Sequence, residues 1–208
     1  MRPKIILYNP PAVFWTMPLA LLAVGSALDA NRFRVVVIDG RFEPEERLLA
    51  ELDDALCLGV TVLTGRPLAG ALRAVRLARE RRPGLPVIWG GWHPSLFPAV
   101  CIDEGGATAS VVGQGELTFV EIVERLAVGE SIGGVAGCWS VDADGNAVQN
   151  PARTMADLNR LPAHNYDLID LEAYFRAKGR RQLDYVSSQG CRFRCAFCAD
   201  PAVFGRTW

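Results

Sequence analysis

"ALCLGVTVLTGRPLAGALRAVRLARERRPGLPVIWGG", residues 55–91, decides the fold. It opens on an apolar run too short to be a helix and closes on a second one that ends in Gly90-Gly91. Between them, over 66–82, apolar residues recur at helical spacing and finish on the basic cluster Arg79, Arg81 and Arg82, where cations favour the negative end of a helix dipole. Period and length give strand, helix, strand. The strand runs are apolar on nearly every residue instead of every second one, which is the pattern of a parallel sheet covered by helices on both faces.

Working outward, the same unit recurs. "KIILYNPP", "RVVVID", "PVIWGG" and "ASVVGQG" are further short apolar runs ending in turn residues, and helical patterns fill 18–30, 43–55 and 117–129. Five alternations predict an α/β fold, a Rossmann-like (flavodoxin-like) parallel sheet over residues 1–130. Such sheets bind ligands beyond the carboxyl ends of their strands. Those ends are Asn9-Pro10-Pro11, Asp39-Gly40, Thr61 to Gly65, Gly90 to Pro94 and Gly113 to Glu116.

Residues 131–180 read as a linker, with a hairpin in "CWSVDADGNAVQN" and a short helix near 168–176. "QLDYVSS", 182–188, has strand character and leads directly into "GCRFRCAFCADP". With 208 residues, half of them apolar and 22% charged, the chain holds one ordinary domain and part of another. The net charge of -1 gives no electrostatic case for nucleic acid or an anionic membrane. The longest apolar stretch, "MPLALLAVGSALDA", falls short of the roughly 20 residues that cross a bilayer. The N-terminus lacks the apolar core of a secretion signal, so a cytoplasmic location is expected, where thiols stay reduced.

Cys57 lies in an apolar strand and reads as core, and Cys101 and Cys138 carry no assigned chemistry. Cys191, Cys195 and Cys198 differ, because Cys-x3-Cys-x2-Cys on a loop can set three thiolates about one centre. A structural zinc site normally takes four ligands, so zinc needs a remote His or Cys to complete it. A four-iron cluster suits sulfur ligands and, with three, keeps one iron open.

"GCRFRCAFC", with the aromatic Phe197 before its last cysteine, resembles the signature of the radical S-adenosylmethionine enzymes. The resemblance implies a 4Fe-4S cluster on Cys191, Cys195 and Cys198 whose open iron binds S-adenosylmethionine. One electron from an external donor such as flavodoxin or ferredoxin then cleaves the sulfonium, and the resulting 5'-deoxyadenosyl radical takes hydrogen from a small-molecule substrate. Arg192 and Arg194 read as solvent-facing loop residues.

Thr61-Val62-Leu63 followed by Gly90-Gly91 resembles the hydroxyl loop and glycine pair of cobalamin-binding domains, which accept the cofactor's nucleotide tail. "YNPP", "PLALLAVGSAL", "VIDG", "GGWHPSLFP" and "VVGQGE" resemble the cobalamin domain that precedes the cysteine motif in one large subgroup of radical enzymes. The implied cofactor contacts are Asn9, Pro10, Thr61, Leu63, Thr64, Gly90, Gly91, His93, Pro94, Gly113, Gly115 and Glu116, with Phe197 beside the cluster. Taken singly, these loops also read as strand ends, local backbone partners and a helix start, and a flavin or other nucleotide is the competing ligand. Many cobalamin domains place a His on the first loop to ligate cobalt. The stretch "FWTMPL" has none, so cobalamin is expected with its own base displaced and no protein histidine on cobalt.

The implied outcomes are methyl transfer, ring formation or ring contraction. The alternative is a non-catalytic cobalamin- or nucleotide-binding module with a zinc or electron-transfer tail. A complete barrel needs on the order of 200 residues, so residues 181–208 read as the first strand and cluster loop of a truncated radical S-adenosylmethionine barrel. Such a chain is expected to be inactive alone and to associate through the strand's open edge.

Overall fold

The computed structural model describes residues 2–206. Strands β1 (Lys4–Asn9), β2 (Arg34–Asp39), β3 (Ala55–Thr61), β4 (Val87–Gly90) and β5 (Ala109–Val111) run parallel in the order β2-β1-β3-β4-β5. That order reverses between β1 and β3, and a crevice opens where it does, at their carboxyl ends. The alternating side chains of each strand feed two separate cores. Ile5 and Leu7 pack with Leu21 of helix α1 (Leu19–Ala27) and with Phe119 and Ile122 of α6 (Glu116–Ala127). On the other face, Ile6 and Tyr8 pack with Leu48 and Leu52 of α2 (Glu45–Leu52) and with Ala71, Ala74 and Ala78 of α3 (Arg66–Arg81). Burial on both faces is why these strands read as continuous apolar runs.

The cluster Arg79, Arg81, Arg82 does end a helix. Arg79 donates to the carbonyls of Pro83 and Leu85 at 3.0 and 2.9 Å, and Arg81 pairs with Asp53 at 2.6 Å. Two short helices that the sequence reading passed over, α4 (Trp92–Leu96) and α5 (Pro98–Asp103), follow β4. Each contains a proline, and their apolar residues are too few to show a period.

The expected hairpin forms as β6 (Cys138–Val141) and β7 (Ala147–Gln149), turning on Asp142, whose carboxylate accepts from the N–H groups of Asp144 and Asn146. It continues the same sheet, antiparallel to β5, to make seven strands. An isolated hairpin is marginal in water, and the edge of β5 supplies the third strand it needs. The rest of the connector holds two single-turn helices and α7 (Leu171–Lys178), with Asp170 capping it through Ala173 N at 3.1 Å.

One expectation is corrected. Residues 182–188 form no strand, because no neighbouring strand offers them a ladder. Side chains hold this segment instead: Asp184 accepts from Met17 N at 2.6 Å and from Lys178 at 2.7 Å, while Tyr166 donates to the Asp184 carbonyl at 2.6 Å. The open ladder edge invoked for association is therefore not formed. Helix α8 (Asp200–Phe204) follows the cysteines. Among the described residues, no helix is long and apolar enough to cross a membrane.

Candidate functional site

The carboxyl ends of β1, β3, β4 and β5 open onto a cavity of about 800 Å³, a size typical of cofactor sites. Of the residues singled out from sequence, Asn9, Pro10, Thr61, Leu63, Gly90, Gly91, Gly113, Gly115 and Glu116 line it. Thr64, His93 and Pro94 do not. Their place is between the loops: Thr64 Oγ1 and His93 Nδ1 share a hydrogen bond of 3.0 Å, and His93 N donates to the Val62 carbonyl at 3.0 Å. Burial pushes the His93 imidazole below its usual pKa, which favours the neutral ring.

Two glycines do different work. Gly91 has φ +99°, and an added Cβ would come within 3.1 Å of the Val62 carbonyl oxygen and 3.2 Å of Thr61 Oγ1. The two loops thus meet backbone to backbone, in a conformation side-chain-bearing residues rarely adopt. Gly91→Ala is expected to cost about 2 kcal/mol of stability, read as a lower midpoint in urea unfolding. At Gly90 the nearest atom to an added Cβ is 3.9 Å away, so this glycine keeps cavity space open and is not forced by the backbone.

Asn9 is held from behind. Its side-chain N–H donates to Asp39 Oδ2 at 2.9 Å, and the same carboxylate accepts from Arg41 Nη2 at 2.6 Å, from Arg41 Nε at 2.9 Å and from the Tyr174 hydroxyl. Burial alone would raise the Asp39 pKa, but the hydrogen bonds and charge of Arg41, helped by Tyr174, hold it below the usual carboxylate range. Sequence reasoning missed Arg41, which also lines the cavity, and Tyr174; the "VIDGRF" run was the available signal for Arg41, while Tyr174 lies far off in the connector. A depressed folded pKa means stability that is present above the unfolded value of about 3.9 and lost as pH falls through the folded one. Asp39→Asn is expected to cost about 3–5 kcal/mol at neutral pH, by leaving Arg41 unpaired, and to flatten the acid limb of a Tm-against-pH profile below about pH 4.

Glu116, the first residue of α6, is buried at the cavity wall. Its burial raises its pKa, and N–H groups of the helix start work against that rise.

The roof comes from the far end of the chain. Gln114 is the clasp: its carbonyl oxygen accepts from Ala156 N at 2.7 Å and its N–H donates to Gln189 Oε1 at 3.0 Å. Phe204 meets Trp92 edge-on at 5.6 Å, and a Cβ on Gly113 would lie 2.9 Å from the Val203 carbonyl. Helix α8 therefore sits directly on the loop after β5. Between the clasp and α8 runs the cysteine loop. Cys191 is partly buried, Cys195 and Cys198 are exposed, and none of the three lines the cavity. Cys198 N donates to the Cys195 carbonyl at 3.1 Å, a turn that brings these two close in the backbone. Phe197 is 92% exposed. Among the described residues no three His, Cys, Asp or Glu side chains gather as a metal site. Cys57, Cys101 and Cys138 are buried, and burial pushes the Cys57 thiol up to about 12 and the Cys101 thiol to about 11, as expected for core residues.

The family model of the B12 binding domain matches residues 12–123, more than half of the chain. The chain belongs to that family. The chain is 28% identical over 219 residues to an uncharacterized methyltransferase of Pyrococcus horikoshii, covering 99% of this chain and 47% of the relative. It is 26% identical to an anaerobic magnesium-protoporphyrin IX monomethyl ester cyclase of Synechocystis, covering 98% and 43%. Its fold matches the radical S-adenosylmethionine methyltransferase TsrM of Kitasatospora setae, solved with cobalamin and a 4Fe-4S cluster bound, at a TM-score of 0.78, 22% identity, and coverage of 99% of this chain and 43% of that one. The chain spans about half the length of the curated relatives it matches.

The residues present fit a B12 group. Gly90 keeps open a cradle that a side chain would fill, at the sheet edge where the strand order reverses. Three closely spaced thiols are also the donor set that iron–sulfur clusters take.

Proposed function

We propose that this chain is the cofactor-holding part of a cobalamin-dependent radical S-adenosylmethionine enzyme, acting in methyl transfer or in radical cyclisation or rearrangement of a small-molecule substrate. The observation that carries this reading is the placement of the cysteine loop, fastened by Gln114–Gln189 and by α8 to the roof of the cavity in a B12 binding domain. The relatives, a methyltransferase and a cyclase by name, support the reaction class without choosing within it.

When bound, a reduced four-iron cluster supplies the electron that cleaves S-adenosylmethionine, and cobalamin supplies a carrier for a methyl group. The rest falls to the chain. Asn9, Thr61, Gly90, Gly91, Gly113 and Gly115 would hold the corrinoid, with backbone approach at Gly91 and free space at Gly90. Asp39 fixes Asn9 and neutralises Arg41, so the cavity wall carries an oriented amide instead of an unpaired cation. The apolar lining from α1, including Leu21 and Val24, keeps water away from the site. Cys191, Cys195 and Cys198 would hold the cluster, and an external donor such as flavodoxin or ferredoxin would reduce it.

Anaerobic reconstitution with iron and sulfide tests the reading. It is expected to give about four irons per chain and a brown chromophore whose EPR signal shifts on adding S-adenosylmethionine. A colourless chain holding stoichiometric zinc would instead favour a non-catalytic module.

A further inference from the structure

The ladder between β4 and β5 is short. Its register pairs are Ile88 with Ala109 and Trp89 with Ser110, and the loops that line the cavity begin just beyond them. The loop after β4 is tied toward β3, where Val62 N donates to the Gly90 carbonyl at 2.8 Å and His93 N donates to the Val62 carbonyl at 3.0 Å. The loop after β5 is tied the other way: Val112 N donates to the Gly137 carbonyl at 2.9 Å, and Gln114 bonds Ala156 and Gln189. These ties lead away from the interval between the two loops.

One side chain spans that interval. Ser95 of α4 donates its hydroxyl proton to the Gly91 carbonyl at 2.7 Å, and the same oxygen accepts from Gly113 N at 2.9 Å. The first bond is the back-bond that serine makes to the carbonyl four residues earlier; the second carries it across to β5, so one hydroxyl stands in for a ladder rung where the ladder has ended. Ser95 is buried, and it lines the cavity together with Gly91 and Gly113. Both glycines have positive φ, 99° and 70°, and glycine has more backbone freedom to lose than any other residue. A cofactor seated between loose loops must order them as it binds, which weakens binding, whereas loops already tied at the right span cost it little.

We infer that Ser95 is a positioning residue for the corrinoid, its hydroxyl fixing the span between the Gly91 and Gly113 loops before the cofactor arrives. This rests on the cobalamin reading above. Sequence reasoning passed over Ser95 inside "GGWHPSLFP", because its second partner lies 18 residues further along the chain.

Hydroxocobalamin is titrated into the full chain and followed by visible absorbance, with circular dichroism melts on every variant and amide exchange by NMR on the cofactor-free chain. Ser95→Ala is expected to weaken binding about tenfold and to speed exchange of the Gly113 amide about tenfold, while the Leu58 amide, bonded to the Pro86 carbonyl within the sheet, is unchanged. Ser95→Thr keeps the hydroxyl and is expected to restore both. Ile122→Val trims the core away from the cavity, so it is expected to lower the melt and leave the affinity at the wild-type value, which separates positioning from stability. Should Ser95→Ala fail to fold, Ser95→Cys, whose thiol is a weak donor and acceptor, carries the same two expectations. A folded Ser95→Ala that binds as tightly as a wild type that binds, or a loss of affinity that Ile122→Val matches, overturns the inference and leaves the cobalamin reading standing. A wild-type chain that binds no corrinoid ends the cobalamin reading and this inference with it.

Discussion

Gly90→Leu is expected to abolish hydroxocobalamin binding, weakening it at least about 100-fold, while leaving the protein folded with a nearly unchanged Tm. The reason is a separation of roles between adjacent glycines. The Cβ of a substituted Gly90 meets nothing closer than 3.9 Å, and the residue lies at the end of β4 without the positive φ of its neighbour. A leucine is thus accepted by the backbone, and its remaining atoms extend into the cavity that Gly90 lines. Overpacking a filled site costs about 1–3 kcal/mol or more, and here that cost falls on the bound state alone. Gly91→Ala behaves in the opposite sense, losing stability through its clash with Val62. If Gly90→Leu, shown by its melt to be folded, bound corrinoid as tightly as wild type, the cavity would not be the cofactor site.

Cys195→Ala is expected to reduce iron uptake on anaerobic reconstitution to background and to remove the brown chromophore, without altering the melt. Cys195 is exposed and packs against no core, and surface substitutions of this kind change stability by about 0.5 kcal/mol or less. A cluster held by three thiolates has no spare ligand, and among the described residues no group of three His, Cys, Asp or Glu side chains is gathered that could replace the lost one. Cys57→Ala is the control. That thiol is sealed in the core, its substitution leaves a small cavity and lowers the melt, and iron uptake persists. Retention of the chromophore in Cys195→Ala would remove the basis for the proposed chemistry.

The sheet was legible because its evidence is local. Runs such as "RVVVID" and the 66–82 periodicity carry their own signal, and the boundaries of β2 and α3 fall where those patterns stop. Much of the cavity was legible for the same reason: Asn9, Thr61, Gly90 and Gly113 stand at strand ends, and a parallel sheet brings all strand ends to one edge. What escaped was set by packing between distant segments. Asp39 and Tyr174 meet across most of the chain, and nothing in "EAYF" announces a buried hydroxyl beside a carboxylate. The roof escaped likewise, because it becomes a roof when Gln114 clasps Ala156 and Gln189. Residues 182–188 erred in the other direction. "LDYVSS" has the composition of a strand, but a strand exists through its partner, and this segment is tied down by Asp184 instead.

The most direct test of the central claim, that this sheet edge and its roof enclose a corrinoid, is a visible-absorbance titration of hydroxocobalamin into the folded chain. The account predicts saturable binding of one cofactor per chain, with the spectral change of a displaced lower base. A spectrum that stays that of free hydroxocobalamin at every protein concentration, from a chain shown by circular dichroism to be folded, would contradict it.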